Sequence, residues 1–219
     1  MWRYGVALAD AGWHAVAVDL RGHGGAPRAL DYTLDAYAAD LAITRPEGRD
    51  HWELVVAHSL GGAAATMAAA EHFGWSRRLI LIDPAIHLSD HDRDVVRDSQ
   101  ERSFADPTQA AVRADHPDWH EQDIELKALS AQQASRWAVE QTSSQNAEWD
   151  VRDAAAHLLV PMHVIASDPK VYSIFKGALV DEVRRNPRVT VSVVKDAGHS
   201  PHRDKPEATM AELLRVIDR

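Results

Sequence analysis

The chain has 219 residues, 45% of them hydrophobic, with 24 Lys plus Arg against 33 Asp plus Glu and a formal charge of −9. This composition suits one globular domain able to bury a sizeable core and excludes an intrinsically disordered chain; the negative balance makes nucleic acid a poor partner. There is no cysteine, hence no disulfide framework, thiol nucleophile or cysteine-ligated metal, which by itself leaves the compartment open. The opening Met1-Trp2-Arg3-Tyr4-Gly5 has no basic leader with an apolar run behind it, and nowhere do about 18 apolar residues stand together. Neither a signal peptide nor a membrane span is expected, and the cytoplasm is the default location.

In chain order, the first apolar run is His14–Leu20, read as a buried strand. Arg21-Gly22-His23-Gly24-Gly25 follows. It lacks the Lys-Ser/Thr of a phosphate-cradling loop and reads as a turn. Thr33 is placed to cap a helix whose Leu34, Tyr37, Ala38 and Leu41 recur at i, i+3, i+4, i+7. A second strand, Leu54–His58, runs into Ser59-Leu60-Gly61-Gly62 and then the small-residue stretch Ala63–Ala70. A serine between strand and helix, flanked by Ala57, Gly61 and Gly62, fits a sharp turn that lifts its Oγ above a sheet, with the Leu60 N–H aimed at an oxyanion; the blander alternative is a glycine-rich turn with a capping serine.

The third strand, Leu79–Asp83, leads into residues 86–154, where the strand rhythm breaks. Here 15 acidic and 7 basic residues give a net −8, nearly the whole charge of the chain. A solvated helical surface is the favoured reading; an acidic mouth selecting neutral or cationic substrates is the alternative. Ile124–Val139 is amphipathic, and Trp119, Trp137 and Trp149 lie in this insert. Strands Met162–Ala166 and Val189–Val194 complete the pattern, with a last helix opening at Pro206 and carrying Met210, Leu213, Leu214 and Ile217 as its stripe. Short Val/Ile/Leu runs alternating with helices predict an α/β fold built on a mostly parallel open sheet, with ligands at the carboxyl ends of the strands. Residues 1–85 and 155–219 form the core and 86–154 the insert.

Two later strands each end in a group that a serine nucleophile requires. Asp168 stands just beyond Met162–Ala166, and His199 follows Val189–Val194 in Ala197-Gly198-His199. A hydroxyl becomes nucleophilic when an imidazole takes its proton, and a carboxylate on the other ring nitrogen fixes the imidazole's tautomer and orientation. Ser59, His199 and Asp168 are the candidates for these roles. Asp83 also ends a strand and competes with Asp168. His58 and His202 stand near the histidine and serine motifs, but Gly198 before His199 favours the latter as base. His199 and His202 at three-residue spacing lack the further ligands of a metal site.

With its order of Ser, Asp and His, the loop Asp19-Leu20-Arg21-Gly22-His23-Gly24 and the turn Ala197-Gly198-His199, the sequence resembles the α/β-hydrolase superfamily over its whole length. It departs from the usual G-x-S-x-G elbow at Ala57. The resemblance implies Asp168, one strand after Asp83, as the acid, residues 86–154 as a helical lid, and a cofactor-free hydrolase acting on a carboxylic ester or related acyl bond of a small molecule. His58, Trp119, Trp137 and Trp149 are candidate pocket residues. An Asp-nucleophile dehalogenase or epoxide hydrolase is disfavoured by serine at 59. The alternatives are a catalytically silent relative, or carbon–carbon hydrolase, lyase or haloperoxidase-like chemistry on the same three residues. The family's sheet normally begins with strands upstream of the segment at Met1, and a His-Gly loop there supplies a second oxyanion donor. On that comparison Met1–Gly12 matches the helix after the loop, and the chain is expected to lack its N-terminal strands. With the central slot vacant, His14–Leu20 is expected to close directly onto Leu54–His58, to borrow a strand, or to leave the chain poorly soluble.

Overall fold

The computed structural model describes residues 2–218; Met1, where the first expected helix opens, lies outside them. In chain order the elements are α1 (Trp2–Asp10), α2 (Leu34–Ala42), β1 (Val55–His58), α3 (Leu60–Glu71), β2 (Leu79–Ile82), α4 (Asp90–Ala105), α5 (Gln109–Asp115), α6 (Glu121–Gln133), α7 (Arg136–Gln145), α8 (Arg152–His157), β3 (Met162–Ala166), α9 (Ala178–Val183), β4 (Val189–Val193), α10 (Pro201–Asp204) and α11 (Pro206–Ile217). The four strands form one parallel sheet in the order β1-β2-β3-β4. Its register places Val55 beside Leu79, Leu79 beside Met162 and Met162 beside Val189.

The sheet is covered on both faces at its centre, where β2 is apolar and buried at every position. In β2, Leu79 and Leu81 pack into one cluster with α2, α3 and α8, while Ile80 and Ile82 pack into a second with Tyr4 and Leu8 of α1 and Leu213, Val216 and Ile217 of α11. Successive side chains of a strand alternate between faces, so a strand buried on both sides cannot alternate apolar with polar. On the first face, α3 lies close to its neighbours because its buried positions, Gly62 to Ala69, are small apart from Thr66 and Met67. Thr33 caps α2 by accepting the Ala36 N–H, and Ser89, Thr108 and Ser135 cap α4, α5 and α7 in the same way. Each such cap satisfies an N–H that the first helical turn leaves without a partner.

Two expectations are corrected. His14–Leu20 forms no ladder with any described residue and does not close onto β1; residues 14–19 are exposed, Val16 by 52% and Val18 by 46%. An extended segment becomes a strand only where a neighbouring edge accepts its backbone hydrogen bonds, and none does here. The amphipathic stretch Ile124–Val139 runs through two helices, α6 and α7, with Ser135 capping the second. In α11 the buried face is Thr209, Leu213, Val216 and Ile217, with Leu214 and Met210 at its margin. The i, i+4, i+7, i+8 set that includes Thr209 outcompetes the set drawn from large apolar residues alone because the Thr209 hydroxyl is satisfied by the Pro201 and Lys205 carbonyls.

Candidate active site

The carboxyl ends of β1 and β2 lie side by side, so Ser59 and Asp83, the residues that follow them, are brought to one edge of the sheet. Ser59 turns the chain from β1 into α3 at φ 53° and ψ −121°. A non-glycine residue held there costs roughly 1–3 kcal/mol and persists only when its surroundings enforce it. The enforcement is visible: the Ser59 N–H donates to Ile82 O, and its carbonyl accepts N–H groups of Gly62, Ala63 and Ala85. Gly62 is required by close approach, because a Cβ there would lie 2.7 Å from Pro84 Cβ and 3.1 Å from Pro84 Cα. Ala57 is tolerated in place of the usual glycine, since even a Cβ built on Gly61 would stand 3.9 Å from the Ala57 methyl. Leu60 opens α3, so its N–H has no acceptor within the helix and faces outward at the helix N-terminus.

His199 bridges the two strand ends. Its Nε2 is 2.9 Å from Ser59 Oγ and its Nδ1 is 2.7 Å from Asp83 Oδ2. A carboxylate accepts only, so Nδ1 carries the ring proton and Nε2 is free to accept from the serine hydroxyl. The acid of this constellation is therefore Asp83 and not Asp168. Asp83 is fully buried and sits in a cradle formed by the Ser167 N–H, the Ser173 hydroxyl at 2.5 Å and the Ile174 N–H. Burial pushes its pKa up, but hydrogen bonds from His199 and these donors outweigh that and hold it below the usual carboxylate value.

Asp168 takes a different part. Its Oδ1 accepts the Lys170 N–H two residues on and its Oδ2 accepts the Asp196 N–H, so it closes a turn and ties it to the loop ahead of His199. These backbone donors lower its pKa. The Asp-Pro-Lys sequence is the signal for that turn: a short carboxylate bonding its own backbone at i+2. Ser167 and Ser173, which build the site around Asp83, carried no motif by which the sequence alone could single them out.

A cavity of about 420 Å³ opens over Ser59 and Leu60, walled by α4 and α7 of the insert and including Asn146, Trp149 and Ile174. Of the three insert tryptophans, Trp149 lines it, its indole N–H donating to Ala85 O at 2.6 Å. Trp119 lies elsewhere, bonded to Asp204 and stacked on His116 at 3.7 Å, and Trp137 is 44% exposed against the edge of Tyr32. Both are corrected as pocket residues, since packing among helices accounts for each. His58 is corrected likewise. It is not part of the cavity wall, and its Nε2–H donates to the His199 carbonyl at 2.7 Å while its ring lies 4.7 Å from that of His199 and 5.0 Å from that of His202. Burial, reinforced by the neighbouring His199, pushes the His58 pKa down to about 3, and burial lowers His202 as well. Among the described residues no group of three or more histidines and carboxylates converges to hold a metal ion, and no helix is long and apolar enough to cross a membrane.

Known proteins share this architecture. The chain is 38% identical over 91 residues to Lipase LipV of Mycobacterium tuberculosis strain H37Rv, an alignment spanning 42% of this chain and 34% of the lipase. It is 26% identical over 219 residues to 2-(acetamidomethylene)succinate hydrolase of Mesorhizobium japonicum, covering 93% of this chain and 78% of that protein. The solved structure of an esterase from Exiguobacterium antarcticum superposes with a TM-score of 0.80 at 17% identity, over 100% of this chain and 86% of the esterase, which is a likeness of fold. The model of the alpha/beta hydrolase family matches residues 1–213, and with the parallel sheet and strand-to-helix serine turn described above, the chain belongs to that family.

Proposed function

We propose that the protein is a serine hydrolase cleaving a carboxylic ester or related acyl bond of a small molecule. The observation that carries this reading is the continuous hydrogen-bonded chain from Ser59 Oγ through His199 to the buried Asp83, with Ser59 lining a cavity large enough for a small substrate. Ser59 Oγ attacks the acyl carbon as His199 Nε2 takes its proton, and the carbonyl electrons move onto oxygen, where the Leu60 N–H stabilises them. Collapse expels the leaving group, which receives the proton from His199. Water then repeats the sequence on the acyl-serine, releasing the acid and restoring the hydroxyl. Asp83 stays ionised, holding the tautomer and stabilising the imidazolium. The lipase and the 2-(acetamidomethylene)succinate hydrolase among its relatives support a hydrolytic reading.

In this reading residues 86–154 act as a lid, and their acidity is offset by paired arginines at the cavity. The cavity wall carries Asp90 and Asp94, but Arg93 and Arg97 pair with them on the same helix. Turnover of p-nitrophenyl acetate and butyrate tests the proposal. Wild-type protein should release p-nitrophenol, and Ser59→Ala should reduce kcat to the background of the uncatalysed reaction; equal turnover by the two proteins would refute it.

A further inference from the structure

His199 sits in a loop with no strand or helix of its own to fix it, yet the reaction proposed above needs its Nε2 held at hydrogen-bonding distance from Ser59 Oγ, 2.9 Å here, to within about 0.5 Å. Three contacts define its place. The ring is held by Asp83 through Nδ1. The peptide before it is held by Asp204, whose Oδ2 accepts the Gly198 N–H at 2.7 Å. The peptide after it is held by His58, whose Nε2–H donates to the His199 carbonyl at 2.7 Å from 141 residues away in sequence. His58 is covalently the neighbour of Ser59. Its bond therefore ties the main chain of the base to the main chain of the nucleophile.

We infer that His58 is a positioning residue that sets the distance between His199 and Ser59, by joining the loop that carries the base to the turn that carries the nucleophile. The inference rests on the proposed role of His199 as base. Several features suit His58 to this work. Its ring is tilted at 38° to the His199 ring and meets the His202 ring edge-on at 69°, so two neighbouring imidazoles pack against it. Tyr4 backs His202 at 5.4 Å, extending the packed column to α1. The groups facing His58 are His199 and His202, with the Arg203 cation and the Asp83 carboxylate further charges acting on it. Burial keeps His58 uncharged at ordinary pH. When His199 becomes an imidazolium during turnover, a cationic neighbour would oppose it; a neutral donor leaves it to Asp83.

Two variants of the full chain separate positioning from mere packing. His58→Phe keeps a flat ring in contact with His199 and His202 but removes the donor. His58→Gln restores an N–H close to the position of Nε2. Active sites are titrated with a fluorophosphonate, and kcat and KM for p-nitrophenyl acetate are expressed per titrated site. His58→Phe should lower kcat by about tenfold to a hundredfold, the effect of a misplacement on the order of 1 Å, with KM within about twofold. His58→Gln should recover kcat to within about threefold of wild type. The downfield proton resonance of the His199 Nδ1–H should be lost to exchange in His58→Phe and retained in His58→Gln. Wild-type kcat and an intact resonance in His58→Phe would overturn the inference, as would a His58→Gln protein as impaired as His58→Phe at equal melting temperature. If wild-type protein proves inert to the fluorophosphonate, the hydrolase reading fails on its own account, and the resonance alone decides: its persistence in His58→Phe refutes the positioning role, and its loss there with retention in His58→Gln sustains it.

Discussion

Exchanging the carboxylates one at a time distinguishes the two aspartates that follow successive strands. Asp83→Asn keeps size and shape but removes the charge and forces an N–H₂ group onto one side of a cradle built wholly of donors: His199 Nδ1, the Ser173 hydroxyl and the N–H groups of Ser167 and Ile174. If the amide oxygen keeps Ser167 and Ser173, its NH₂ meets His199 Nδ1 and flips the imidazole to the tautomer whose Nε2 carries a proton and cannot accept from Ser59. The expected loss in kcat is on the order of 10⁴, the cost of the wrong tautomer in a serine triad. Two donors left unmatched in a fully buried site cost about 1–3 kcal/mol each, and at about 2–4 °C per kcal/mol for a chain of this size the melting temperature should fall measurably. Asp168→Asn is the control. Its two bonds come from backbone N–H groups, which an amide oxygen also satisfies in part, so kcat should stay within about threefold. The assay is p-nitrophenyl acetate turnover at several pH values beside a thermal melt. A protein that keeps its turnover as Asp83→Asn and loses it as Asp168→Asn would refute the reasoning.

Further outcomes follow from the same geometry. Gly62→Ala should lower the melting temperature, by about 2–4 °C for each of the roughly 1–3 kcal/mol that overpacking costs, because the new methyl meets Pro84 at 2.7 Å and one of the atoms it crowds is backbone; an unchanged melt would show that the turn has slack. Acid stability should decline early. His58, with a native value of about 3 against an ordinary 6.5, and His202, also lowered, take up protons more readily unfolded than folded, so stability is full above about pH 6.5 and falls between 6.5 and 3. Asp83, lowered in the native state, adds a loss that begins near pH 4. Melting temperature measured from pH 8 to pH 4 should drop through this window, and His58→Gln should flatten the curve; identical slopes would contradict the burial of a neutral His58. At the cavity mouth, the pairing of Asp90 with Arg93 and of Asp94 with Arg97 predicts KM values for cationic and anionic acyl esters within about threefold and insensitive to salt. A strong preference for cationic esters that fades as the Debye length shrinks would restore the acidic-mouth reading.

The sequence made four of the five expected strands legible because each is a short run rich in Val, Ile and Leu, as a sheet with covered faces requires. His14–Leu20 carries the same pattern without a ladder, since residue type states what a segment would bury and not whether a partner edge is there to receive it. Ser59 was legible from the small residues that its strained turn demands, and His199 from the glycine before it. Asp83 and Asp168 each follow a strand and each precede a proline, so the turn signal at Asp168 does not by itself separate them. What decides between them is the donor cradle contributed by residues 167, 173 and 174, a long-range arrangement around one oxygen pair. His58 was seen as a neighbour of the serine, but the direction of its ring, away from the cavity and toward the His199 carbonyl, depends on a contact 141 residues distant.

The proposed hydrolase chemistry requires that one serine, Ser59, be activated by its surroundings. The direct measurement is reaction of the folded protein with a fluorophosphonate at neutral pH, followed by mass spectrometry of its peptides. A hydroxyl reacts only where an imidazole takes its proton, so a single adduct is expected, on Ser59, absent after heat denaturation and absent in Ser59→Ala. An adduct on another serine, or labelling of Ser59→Ala at the wild-type rate, would contradict the account.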